Sequence, residues 1–226
     1  MQTDNAVRLY SYFRSSASYR VRIALALKGL SYEYVAVHLV KNEQLSESFR
    51  AVAPAQLVPA LVLDGVGGVG GCEAVLTQSL AIIEYLDETH PEPPLLPKDA
   101  AGRARVRAIA LDMACEIHPL DNLRVLRYLV KELGVSEDDK NRWYRHWVET
   151  GLEVVERQLA GDAATGRFCH GDTPGLADCV LVPQIHNAKR MDCRLEHVPT
   201  VMRIFDACMA EPAFATTQPS ACPDAA

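Results

Sequence analysis

No two of the seven cysteines, Cys72, Cys115, Cys169, Cys179, Cys193, Cys208 and Cys222, stand at C-x-x-C spacing, and their number is odd. That argues against a disulfide frame or a zinc site. It predicts free thiols in a reducing compartment, hence a cytoplasmic protein. Most of them read as small buried hydrophobes. Basic charge is in deficit, with 23 Lys and Arg against 29 Asp and Glu and a net charge of −6. A nucleic-acid footprint, which needs clustered Lys and Arg, is not expected. No apolar run approaches the ~20 residues that span a bilayer. The opening MQTDNAVRLY has neither a basic n-region nor an apolar h-region, so no signal peptide is expected. There is no internal repeat.

What is present is ordinary globular composition, 49% apolar and 23% charged, over 226 residues. That length holds one large domain or two small ones. Residues 7–12 alternate and read as a strand. Residues 19–28 are apolar at helical spacing and stop at Gly29, a natural C′ residue. Residues 32–39 alternate again, and 43–51 suggest a short polar helix. LVPALVL, 57–63, is a buried-strand run, followed by an Asp64-Gly65 turn. The stretch 65–72 is glycine-rich enough to read as a long hairpin loop, with 73–76 as the returning strand. Residues 79–90 form an amphipathic helix. The order β-α-β, then α-β-β-α, predicts a right-handed parallel unit and an antiparallel pair in one mixed four-stranded sheet. This is the thioredoxin arrangement. PEPPLLPKD, 91–99, reads as a linker. Beyond it, helical periodicity covers 102–131, 137–160, 175–190 and 198–210, and the tail from 213 reads as frayed and polar. The predicted fold is therefore an α/β thioredoxin-like domain over 1–92 and an all-α domain over 99–226.

Three places are candidates for chemistry. Ser15 and Ser16 lie at a strand-to-helix junction between Arg14 and Arg20. A helix N-terminus carries free N–H groups and partial positive charge, which stabilise an anion and depress a thiol pKa. A hydroxyl there can donate to a thiolate, or it can simply cap the helix. Val58-Pro59 opens a strand, where a proline costs no ladder donor. Cis occurs in only about 5–6% of X–Pro bonds, so composition alone favours trans. Thr77-Gln78-Ser79 again sets polar side chains at a helix start, for a carboxylate or for capping.

The segments SYFRSSASYRVRIALALKG, QLVPAL, LTQSLAIIEYLDE, IHPLDNLRVL and GDTPGLADCVLVPQ, in register along nearly the whole chain, resemble a zeta-class glutathione transferase. Within that class the resemblance is greatest to the branch that isomerises maleylacetoacetate to fumarylacetoacetate, with the maleylpyruvate branch next. A general glutathione transferase or peroxidase is the other enzymatic reading. A glutathione-fold binding module is a non-enzymatic one. The resemblance implies a homodimer, glutathione as cofactor, no metal, and a dicarboxylate substrate. It implies that Ser15 stabilises the thiolate with Ser16 beside it. Val58 would pair with the cysteinyl backbone next to a cis Pro59. Gln78 and Ser79 would hold the γ-glutamyl carboxylate, with Arg20 also on the glutathione side and Gln44 near the glycyl end. His118 and Asn122 would approach glutathione or substrate, and Arg14, Arg124 and Arg190 would face the substrate carboxylates. Pro119 is expected to kink the helix that carries Asn122 and Arg124, and on an ideal helix those two point apart. Ala17 stands where the family has a cysteine. Gly175 stands where it has Ser or Thr, which leaves Asp178 as half of a capping box and a structural residue. Lowering a thiol pKa by two units takes about 2.7 kcal/mol. A charged hydrogen bond of about 1.5–3 kcal/mol and a helix terminus of roughly 0.3–1 kcal/mol are enough.

Overall fold

The computed structural model describes residues 7–67 and 73–225. The chain divides into two compact units, Met1–Pro93 together with Pro212–Ala226, and Pro94–Glu211. The division falls between Pro93 and Pro94, inside the expected linker, and it differs from the expected 1–92 and 99–226 at the far end. The tail belongs with the first unit.

The first unit runs β1 (Val7–Ser11), α1 (Ser16–Leu27), β2 (Glu33–Ala36), α2 (Glu47–Val52), β3 (Ala60–Gly67), β4 (Glu73–Thr77) and α3 (Ser79–Thr89). The sheet order is β2-β1-β3-β4. β1 and β2 are parallel, and β1–β3 and β3–β4 are antiparallel, as the element order predicts. Helix α1 ends in a Schellman motif: Gly29, at φ +66, donates to Ala26 O and Leu30 N to Leu25 O. β2 is shorter than its alternation suggests. His38 Nδ1 accepts from Lys41 N and opens a 3₁₀ turn at Leu39–Lys41, and left-handed Asn42 leads into a second at Glu43–Leu45. The local side-chain bond wins over strand propensity.

Strand β3 corrects two expectations. It begins at Ala60, and it continues through Asp64 and Gly65, where a turn was expected, to Gly67. The pairing register shifts between Leu63 and Gly67, which faces Glu73. Glycines within a strand suit such an irregularity. The rest of the glycine-rich segment, with Cys72, lies outside the described residues.

Two apolar layers hold the sheet. Leu9 and Leu61 are buried, as are Val21, Ile23 and Leu25 of α1 and Ile82, Ile83 and Leu86 of α3. A separate cluster of Tyr12, Val37, Phe49, Ala53, Val58 and Ala60 packs under α2 and fixes Val58. Lys28 Nζ, fully enclosed, bonds Asp87 Oδ1 at 2.6 Å, His90 O at 2.7 Å and Pro93 O at 2.6 Å. It joins the end of α1 to the end of α3.

The tail is not frayed. Helix α9 (Pro212–Ala215) buries Phe214, and Tyr19 Oη donates to Phe214 O at 3.1 Å. A 3₁₀ turn follows at Pro219–Ala221. A single large apolar residue makes no periodic pattern, so docking of this segment leaves no local signature.

The second unit comprises α4 (Ala100–Leu111), a π-turn (Asp112–Ile117), α5 (Leu123–Lys131), α6 (Glu137–Ala160), α7 (Leu176–Arg190) and α8 (Pro199–Met209). The expected continuous helix over 102–131 is thus two helices. The chain leaves the first through the i→i−5 bond of His118 N to Met113 O, and the N–H-less Pro119 follows. Asp178 is structural, as expected: buried, it accepts from Cys169 N at 2.9 Å and Gly175 N at 2.8 Å. A Cβ at position 175 would lie 2.8 Å from Leu95 O. That contact explains why glycine, and not serine, starts α7.

Candidate functional site

Strand register brings the candidate segments of the first unit to one end of the sheet. Tyr10 pairs with Ala60, Ala60 with Thr77, and Ser11 with Ala36. Beyond this row β1 leads to Ser15, β4 to Gln78 and β2 towards Gln44, and β3 arrives from Val58-Pro59.

A four-residue turn, closed by Ser15 N to Tyr12 O at 2.9 Å, delivers Ser15 to the start of α1. Ser15 is the N-cap: its Oγ accepts from Ser18 N at 3.2 Å. Accepting leaves the hydroxyl proton to donate, so capping and thiolate binding are compatible. Ser16, in the first turn, is buried. Arg20, one turn on, is buried too, and its Nη1 donates to Ser79 Oγ at 3.2 Å. This ties the starts of α1 and α3 together.

Gln78 precedes Ser79 with φ 68 and ψ 112, and its side chain makes no capping bond. A non-glycine residue in this region costs about 1–3 kcal/mol and points to a functional constraint. The N–H groups at the start of α3 are therefore not taken by the Gln78 side chain. Val58 is buried, and its bond to Pro59 is cis. Gln44 has its Oε1 buried with no partner among the described residues. Arg14 is exposed, with Cζ 4.9 Å from the Phe13 ring centroid. Among the described residues it has no carboxylate partner. Two helix N-termini, a free-ended hydroxyl and an unpartnered amide oxygen suit an extended peptide with a carboxylate and a thiolate.

In the second unit, His118 lies at the end of the π-turn and Asn122 caps α5, its Oδ1 accepting from Arg124 N at 3.1 Å. The ideal-helix argument that sets Asn122 and Arg124 apart does not apply, because Asn122 is the N-cap and its backbone is extended. Arg124 is exposed, as is Arg190 at the end of α7. The Arg190 side chain hydrogen-bonds the Tyr144 hydroxyl, whose pKa burial pushes up, the Asp121 charge adding to the rise.

Asp121 was missed. It is 8% exposed, and both carboxylate oxygens are buried without a partner among the described residues. Burial pushes its carboxyl up to about 8. The turn holding it is fixed to α6 by Trp143 Nε1 donating to Leu120 O at 2.9 Å. The signal available in sequence is an acid enclosed between Leu120 and Leu123 in IHPLDNL.

Residues 9–94 match the family model for the glutathione S-transferase N-terminal domain. The chain is 48% identical to the probable maleylacetoacetate isomerase of Vibrio cholerae over 219 residues, 96% of this chain and 97% of that one. A holo structure of maleyl pyruvate isomerase, a bacterial glutathione-S-transferase in the zeta class, superposes with a TM-score of 0.90 at 47% identity, covering 97% of this chain and 100% of that one. The maleylacetoacetate isomerase of Anaeromyxobacter dehalogenans 2CP-1 is 44% identical, each chain covered to 98%. It is solved with GSH in the active site, TM-score 0.86, and with dicarboxyethyl glutathione and citrate, TM-score 0.84.

Asp121 sets a pH dependence of stability. Below about pH 4 its carboxyl is protonated in both folded and unfolded chains. Between about pH 4 and the folded value of about 8, the unfolded chain loses a proton that the folded one keeps, so stability falls by about 1.4 kcal/mol per pH unit. Above that it levels off. Asp121→Asn removes this loss. The Tm gain of the variant is expected to grow from about pH 4 to 8, whereas a constant difference across that window rules out a buried neutral acid.

Proposed function

The chain belongs to the zeta class of the glutathione transferase family, and on that premise we propose that it is a glutathione-dependent cis–trans isomerase of a maleyl compound, converting maleylacetoacetate to fumarylacetoacetate. The observation that carries this reading is the gathering of Ser15, Val58 and Ser79 at one end of the sheet, with α1 and α3 both starting there. Maleylpyruvate is the second substrate reading, because relatives of both names stand at 48% and 47% identity. An isomerase assay on both compounds, with and without glutathione, tests it. Turnover of either without glutathione overturns the mechanism, and turnover of neither overturns the function.

Bound glutathione supplies a thiolate that adds reversibly to the cis double bond, letting the bond turn before the thiolate leaves. The chain's own residues prepare this. Ser15 donates its hydroxyl proton to the sulfur while its oxygen stays on Ser18 N–H, and Ser16 stands beside it. Val58 offers backbone groups to the cysteinyl unit next to Pro59. Gln78 and Ser79 receive the γ-glutamyl carboxylate at the start of α3, and Arg20 orients the Ser79 hydroxyl. Gln44 serves the glycyl end. Arg14 holds a substrate carboxylate and the negative charge that grows on the substrate's oxygen, since its planar fork binds such groups bidentately. Family membership extends the assignment to the second unit, with His118 and Asn122 for glutathione or substrate and Arg124 and Arg190 for the carboxylates. With Oδ1 committed to the cap, Asn122 has its amide N–H groups to give. The six described cysteines are free, which fits the reducing cytoplasm.

We also infer a homodimer. Helix α5 buries no residue in the single chain, and Tyr128 and nearby Leu133 are 57% and 59% exposed. An apolar helix face of this kind suits a two-fold interface. Sedimentation at micromolar concentration is expected to give twice the chain's 24.9 kDa, and a particle of single-chain mass removes the inference.

Replacing Ser15 by Ala is expected to raise the pKa of bound thiol and to slow isomerisation at neutral pH by tens-fold, from about 1.5–3 kcal/mol of lost charged hydrogen bond. Glutathione affinity should change less. If ultraviolet titration of bound thiolate is the same in both proteins, Ser15 only caps. Replacing Arg14 by Met is expected to cost about 2–4 kcal/mol in kcat/KM and to leave glutathione binding unchanged. A kcat/KM within about twofold of the native value, well under 1 kcal/mol, ends the clamp reading.

A further inference from the structure

The turn that presents Ser15 closes on its own ends only. The first of its two central residues, Phe13, is held by the segment that follows the helical unit. Asp224 Oδ2 accepts from Phe13 N at 3.1 Å. On the other side of the same residue, Arg22 Nη2 donates to Phe13 O at 3.3 Å. Arg22 is buried and fixed in turn by the tail, with Nε on Thr217 O at 3.0 Å and Nη1 on Ser11 Oγ at 3.2 Å. The second oxygen of Asp224 takes the Tyr34 hydroxyl at 2.6 Å. Burial and that bond push the Tyr34 hydroxyl up, so it stays a donor.

The tail does not need these bonds for anchorage. Phe214, buried and held by Tyr19, already docks it. Asp224 lies well past that anchor, and of its two charge-assisted bonds one goes to the turn, at Phe13 N, and the other to Tyr34 of β2, which fixes the carboxylate. We propose that Asp224 is a positioning residue: with Thr217 acting through Arg22, it clasps Phe13 from both sides and so holds the turn that aims the Ser15 hydroxyl. The proposal rests on the glutathione reading above. The clasp acts on direction, because Phe13 N–H and C=O fix the plane of the turn two residues before Ser15. A hydroxyl that swings with a loose turn loses its bond to a thiolate, for such bonds weaken steeply with misalignment.

The test is a double-mutant cycle read by ultraviolet titration of glutathione thiolate bound to the full chain. Removing the Asp224 charge can itself move the titration, so the decisive quantity is how far Ser15→Ala moves the midpoint in each background. In the native background the shift is expected to be about one to two units. In Asp224→Ala it is expected to fall to less than half of that. In Asp224→Asn, which keeps an acceptor oxygen for Phe13, it is expected to return. Equal Ser15 shifts in the native and Asp224→Ala backgrounds, additive to within about 0.3 unit, overturn the clasp, whatever happens to Tm. So does an Asp224→Asn chain that behaves like Asp224→Ala. Should Asp224→Ala not fold, a chain ending at Cys222, which keeps Phe214 and Thr217, carries the same comparison. A native chain with no bound thiolate removes the glutathione reading itself, and that outcome is distinct from native thiolate with additive shifts.

Discussion

The pairing of Tyr10 with Ala60 and of Ala60 with Thr77 constrains everything the first unit does. A shift of one residue in either ladder would turn the strand faces over and move the ends of β1, β3 and β4 out of line. Because the row is shared, three chain crossings meet at one edge. Helices α1 and α3 both start there, and Arg20 ties the two starts together. The apolar cluster under α2 adds a second restraint: Tyr12, Val58 and Ala60 belong to it, so packing and register agree on where Val58 sits.

The buried cations of the first unit tie its elements together. Arg20 reaches Ser79, Arg22 reaches Ser11 and Thr217, and Lys28 gathers Asp87 and two carbonyls. Such ties make a site stiff, and stiffness gives a hydroxyl or an open helix end its selectivity. In the second unit Asp121 is left without a cation or donor among the described residues, and a lone buried carboxyl avoids the cost of charge by keeping its proton.

Much of this was legible beforehand where the physics is local. Gly29 marks a helix end because only a residue tolerant of positive φ closes a Schellman motif cheaply. Ser15 marks a helix start because a hydroxyl there meets an orphan N–H. Alternation and helical spacing placed four strands and the long helices within a few residues. The failures were long-range or concerned exceptions. Residues 32–39 alternate, but His38 Nδ1 accepts from the Lys41 N–H and opens a turn first. Pro119 by itself predicts a kink, whereas the π-turn before it lets the chain leave the helix altogether. Gln78 carries no sequence mark of its backbone angle. The tail looked frayed because Tyr19, Arg22 and Tyr34, which receive it, lie nearly two hundred positions away in sequence.

The return of Pro212–Ala226 to the first unit makes the helical unit an insertion in a discontinuous one. Ribosomes deliver the chain from its N-terminus, and units tend to fold in that order. Here the sheet can pair as soon as β4 is made, but Arg22 and Phe13 must wait for partners synthesised after the whole helical unit. During that interval a buried guanidinium has only part of its bonds. Completion of the first unit therefore waits for Thr217 and Asp224, and a chain cut short before them carries a formed sheet with an unclasped turn.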